Sequence, residues 1–147
     1  MRAKRLQPIA RHADQKQDDA ARDYAKAQQE LAQSEKQLQQ LLGYRDEYGR
    51  QLVTQSMNIE WLRDYQLFIV KINHAMEQAK IEIQNKQRNC EQKKLAWLKA
   101  RTRSKALNLV VEQYQQKEIK LQDKREQTES DEHGAWGFQN KNNTRRD

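Results

Sequence analysis

Few side chains in this chain are placed to do chemistry. The three histidines, His12, His74 and His133, lie far apart in the sequence. The one cysteine, Cys90, has no second cysteine or histidine at ligand spacing, so neither an intrachain disulfide nor a zinc site is expected. Adjacent carboxylates occur at Asp18–Asp19 and Asp46–Glu47, but both pairs read as solvated helix faces. The sequence holds no glycine-rich phosphate loop, no CxxC and no HExxH. An enzyme, a metal site and a bound cofactor are therefore not expected. The most chemically distinctive run is Lys93 to Lys105, "KKLAWLKARTRSK", with six cations and no acid. Such a run can grip phosphates at low salt. It lacks stacking aromatics beyond Trp97 and any base-reading motif, so a solvated basic face is the simpler reading and nucleic acid is not an expected partner.

The elements that must carry these residues follow from composition. Only 35% of the 147 residues are hydrophobic and 33% are charged, too little apolar surface for an ordinary globule. Gln, Lys, Glu, Leu, Ala and Arg dominate, and all favour helix. A net charge of +7 permits attraction to nucleic acid, anionic membrane or acidic protein without choosing among them. The basic N-terminal stretch is followed by no apolar run, so neither a signal peptide nor a transmembrane segment is expected.

Two heptad registers run along the chain. In the first half, one row holds Ala10, Gln17, Tyr24, Leu31, Leu38, Arg45 and Leu52, and its partner row holds Leu6, Ala13, Ala20, Ala27, Ser34, Leu41 and Tyr48. In the second half, Leu62, Ile69, Met76, Ile83, Cys90, Trp97, Ser104, Val111 and Glu118 alternate with Tyr65, Ile72, Ala79, Lys86, Lys93, Ala100, Leu107, Tyr114 and Leu121. Alternating spacings of four and three are the signature of a left-handed coiled coil. The expected fold is all-α: a long antiparallel two-helix coiled coil with a longer second helix and a disordered C-terminal tail. Helix one is set at about residues 7–52, the turn at about 53–57 and helix two at about 58–127, giving one hairpin over 1–128 and a flexible tail over 129–147. Pro8 marks the first turn of helix one. Ser56 and Asn58 are both good N-caps for helix two.

A turn centred near Gln55 sets Leu41 opposite Ile69, Ala13 opposite Trp97 and Leu6 opposite Ser104. Helix two then outruns helix one, and Leu107, Val110, Val111, Tyr114, Ile119 and Leu121 fall in an unpaired overhang. An exposed apolar stripe of that kind marks a contact surface, either for a partner or for self-association.

The window from Tyr44 to Ile69 carries a second signal. Beside the seam, the flanking position is polar along most of both helices, yet becomes Tyr44, Trp61, Phe68 and Ala75 near the turn. Gln37, Leu41, Tyr44 and Tyr48 follow helical four-three-four spacing, as do Phe68, Ile72, Ala75 and Ala79. Two such rows beside one seam form either a thicker core or a lateral patch, and Tyr and Trp are common interface anchors.

At this point the sequence resembles the flagellar FliJ family. The resemblance rests on Asp18-Asp19-Ala20-Ala21-Arg22, on the Leu41-x-x-Tyr44-x-x-x-Tyr48 row and on Tyr65-Gln66-x-Phe68-Ile69, in that order and spacing. It implies a cytoplasmic, non-enzymatic component of the flagellar type III export apparatus, attached to the membrane only through partners. It implies a stalk-like coiled coil that inserts into the hexameric export ATPase, promotes its assembly, and links it to the export gate and to export chaperones. Gln37, Leu41, Tyr44, Tyr48, Phe68, Ile72 and Ala75 would form the gate-binding patch. Leu107, Val110, Val111, Tyr114 and Leu121, with the N-terminal segment, would form the ATPase-facing end.

Overall fold

The computed structural model describes the backbone of residues 2–54 and 58–144, and the side chains of 2–52 and 58–137. Two helices account for nearly all of it: α1, Arg2–Thr54, and the longer α2, Ile59–Thr144. They contribute to two compact units. One combines Met1–Gln15 with Thr102–Asp147, and the other is Lys16–Arg101.

The unit Lys16–Arg101 is an antiparallel helical hairpin. Asn58 starts its second arm. The Asn58 side chain accepts a hydrogen bond from the Trp61 backbone N–H at 2.8 Å, and its carbonyl accepts the first helical bond from Leu62 at 3.1 Å. The side-chain bond satisfies one of the four orphan donors of the first turn, which is the purpose of an N-cap. The alternative cap, Ser56, lies outside the described residues. Ala27, Ser34, Ile72 and Met76 form the buried part of this seam. Tyr24 stacks on Trp97 with ring centroids 5.9 Å apart and 5° between planes, and Lys86 reaches Glu30 at 3.4 Å. With both partners about a third exposed, that ion pair contributes at most about 1 kcal/mol.

The unit combining Met1–Gln15 with Thr102–Asp147 is a second antiparallel pair. Ala3, Ala10, Ala13, Ser104 and Val111 are its buried layer. The Ala3 backbone N–H donates to Glu118 at 3.4 Å, and the Arg2 guanidinium lies 5.8 Å from the Tyr114 ring centre. These contacts explain why α1 starts at Arg2 and not near Gln7. Pro8 then sits inside the helix, where it removes one backbone bond. Packing of the preceding turn against α2 offsets that loss.

The pairing register differs from the sequence expectation. Ser104 hydrogen-bonds Asp14, not a neighbour of Leu6; Trp97 meets Tyr24, not Ala13; Asn73 meets Arg45 and Phe68 meets Tyr48. Partners on α1 lie about one heptad, roughly 7 residues, beyond the expected ones. A shift of one repeat leaves every seam row facing a seam row, so apolar periodicity alone does not choose between the two registers. The start of α1 at Arg2 and the later turn move in the same direction.

One polar layer does discriminate. Asp14 accepts hydrogen bonds from the Ser104 hydroxyl and from the Asn108 amide, the latter at 2.8 Å. These bonds hold the Asp14 carboxyl below its ordinary value, the Ser104 hydroxyl contributing most. Its folded-state pKa is depressed, so the layer adds stability that is present above about pH 4 and lost as pH falls through the folded value. Asp14→Ala is therefore expected to lower the melting temperature at pH 7 but to lose less than the parent between neutral and pH 3. Parallel acid titrations followed by circular dichroism test this; parallel curves for the two proteins would refute it.

Gly43 and Gly49 do not interrupt α1. No positive φ occurs among the described residues, and a Cβ at Gly43 or Gly49 would meet open space. Gly43→Ala is expected to stabilise the hairpin by about 0.5–1 kcal/mol, read as a higher melting temperature. A drop in melting temperature would show a steric role that the open space does not suggest.

At the other end, α2 runs to Thr144 instead of stopping near Gln127. No proline follows Pro8 to break it. Thr128 and Lys124 are joined by a side-chain bond to backbone at 2.8 Å. All described side chains from Ile119 to Gly137 are exposed.

Candidate docking groove beside the seam

The two aromatic-rich rows chosen from spacing converge in the hairpin Lys16–Arg101. Leu41, Tyr44 and Tyr48 come from α1, and Phe68, Ile72 and Ala75 from α2. Together with Glu47, Gln51 and Lys71 they line an open groove of about 510 Å³. Its floor is Ile72, which is buried, with Leu41, Phe68 and Ala75 half-buried. Its wall is aromatic. Tyr48 stacks on Phe68 with centroids 3.9 Å apart, and on Tyr65 at 6.3 Å; Tyr65 in turn stacks on Trp61 at 5.6 Å. Tyr44 stands free of this ladder and is 58% exposed.

This geometry separates the two uses of an apolar residue. Tyr65, Phe68 and Ile72 hold the helices together. Tyr44, and the 36% of Tyr48 that remains accessible, present apolar surface and a hydroxyl outward. An open groove with an apolar floor, two phenols and one charge of each sign on its rim fits an inserted apolar side chain of a protein partner.

Gln37 is exposed and does not line the groove. Trp61 belongs to the stacking ladder, not to the groove. Glu47, Gln51 and Lys71 were not singled out from spacing, because polar rim residues look like any solvated helix face. They could have been found as the helical neighbours of Tyr44, Tyr48 and Phe68.

The second set of candidates is placed differently from the sequence expectation. Val111 is buried, and Leu107, Val110 and Tyr114 are half-buried, in the unit where residues 2–14 of α1 cover α2. They are not an unpaired overhang. The heptad shift in register, with the earlier start of α1, brings alanines over them. Leu121 remains exposed at 57%, beside Ile119 at 59%. Cys90 is half-buried in the seam.

A family model described as the flagellar FliJ protein matches residues 1–143. The chain belongs to the FliJ family. No curated protein and no solved structure matches it. FliJ membership makes this chain a component of the flagellar protein-export apparatus. Among the described residues, no helix of this FliJ-family chain is long and apolar enough to cross a membrane.

Proposed function

We propose that the chain is a non-enzymatic, stalk-like adaptor of the flagellar export apparatus. In this reading its chain termini enter the hexameric export ATPase and promote its assembly. The groove between Tyr44 and Phe68 docks on the membrane export gate, export chaperones are further partners, and the protein works in the cytoplasm, held to the membrane through its partners. The observation that carries the reading is the groove itself. An accessible phenol stands over an apolar floor on residues whose spacing matches the family's docking row, and a two-helix seam has no structural need of Tyr44.

The test is a co-purification of tagged full-length chain with the export ATPase and the soluble part of the gate protein, at low and high salt. Recovery of both, with gate binding that survives salt, is expected of an apolar dock. Tight, steeply salt-dependent binding to RNA or DNA in place of these partners would sink the proposal and favour a basic nucleic-acid-binding module.

A further inference from the structure

Within the hairpin Lys16–Arg101, α2 is apolar on two sides. The seam takes Ile69, Ile72, Met76 and Ile83. On the side of the helix away from that seam, Leu67, Val70, Ile81, Leu95 and Leu98 are all exposed, by 38–66%. Isolated surface leucines need no explanation. These are not isolated. Leu67, Ile81 and Leu95 occupy one heptad row at every second repeat, and Val70 and Leu98 each follow a member of that row by three residues. Spacing by heptads is how a helix addresses another helix running alongside it. A phosphate backbone has no use for an apolar row, and exposed His74 and Arg88 interrupt the row at intervals a bilayer would not tolerate well.

Charge around the row narrows the partner. Along α2 near Leu95 and Leu98 the exposed charged residues are Arg88, Lys94, Lys99 and Arg101, against one acid, Glu91. No acidic side chain lies between Gln92 and Arg101. Trp97 is not available to a partner's bases, because Tyr24 stacks on it and the Arg101 guanidinium lies 5.6 Å from its ring centre.

We infer that this outer face of α2 is a second docking surface, independent of the groove at Tyr44, and that its occupant is an acidic amphipathic helix of another protein. The partner helix lays apolar residues at heptad spacing along Ile81, Leu95 and Leu98, and sets carboxylates against Lys94, Lys99 and Arg101. This is the arrangement by which a third strand joins a coiled coil, apolar row inward and opposite charges at the flanks.

The full-length chain can be titrated against a fluorescent four-heptad peptide with leucines at alternating three- and four-residue spacing and glutamates elsewhere, and against a twin with lysines for glutamates. The acidic peptide is expected to bind about tenfold or more tighter than its twin at low salt. The double variant Leu95→Glu with Leu98→Glu is expected to lose about tenfold of that affinity, with helix content unchanged since both side chains are exposed. Tyr44→Ala, which disables the other groove, is expected to change nothing in this assay. Equal binding of the twins, or no effect of the double variant, overturns the inference. So does attachment to phosphatidylglycerol vesicles, or dimerisation in sedimentation, that the same two substitutions abolish.

Discussion

Tyr44→Ala is expected to lower affinity for the export gate by about thirtyfold or more, the size of an interface hot spot, while the thermal melt moves little. The two halves of this expectation come from one number. Tyr44 is 58% exposed and joins none of the aromatic stacks, so truncating it removes little buried area. Surface substitutions of that kind stay within about 0.5 kcal/mol of the parent. Phe68→Ala is a different experiment. Its ring stacks 3.9 Å from Tyr48, so it is expected to weaken both the hairpin and the gate contact. Measuring gate binding and the circular dichroism melt for both variants separates docking from folding. Should Tyr44→Ala collapse the melt, the residue is core and the groove is not a dock. Should it leave both quantities untouched, the gate binds elsewhere.

That contrast also shows what spacing could and could not reveal. Helical periodicity is a statement about angle around one helix. It put Leu41, Tyr44 and Tyr48 on one side of α1, and Phe68, Ile72 and Ala75 on one side of α2, and those six residues meet in the groove. Periodicity says nothing about translation along the partner by a whole repeat. Leu6 and Asp14 are therefore near-equivalent candidates to face Ser104 until chemistry is added. A carboxylate that can accept from both Ser104 and Asn108 is a better neighbour for a buried hydroxyl than a leucine. Asp14 sits one position off the seam row, so spacing alone does not point to it. Start and stop rules failed for a related reason. Pro8 marks a helix start only where nothing holds the turn before it, and here Glu118 and Tyr114 do. Gly43 and Gly49 mark a weak helix, not a broken one, because a cost of about 1 kcal/mol each is small against the packing of a long seam.

The register has a direct consequence for the ATPase-facing end. With Ala3 reaching Glu118, the part of α2 that extends past α1 begins near Ile119, not near Ser104. Ending the chain after Ser104 would strip Asn108 and Val111 from their unit and leave Ala3 and Ala10 uncovered, so lost function there would only report lost structure. Ending it after Glu118 is the informative cut. Every described side chain it removes is exposed, including Ile119, Leu121 and Trp136. The shortened chain is therefore expected to keep its melting temperature to within a few degrees, the shift that a change of about 1 kcal/mol would produce. If the proposed insertion into the ATPase is right, the same cut abolishes stimulation of ATP hydrolysis. Leu121 is then the one exposed member of the five residues expected to face the ATPase, and Leu121→Asp in the full-length chain should reproduce most of the loss. Hydrolysis measured against rising concentrations of each variant decides the matter. Full stimulation by the chain ending at Glu118 would place the ATPase contact on the paired helices and remove the extension from the mechanism.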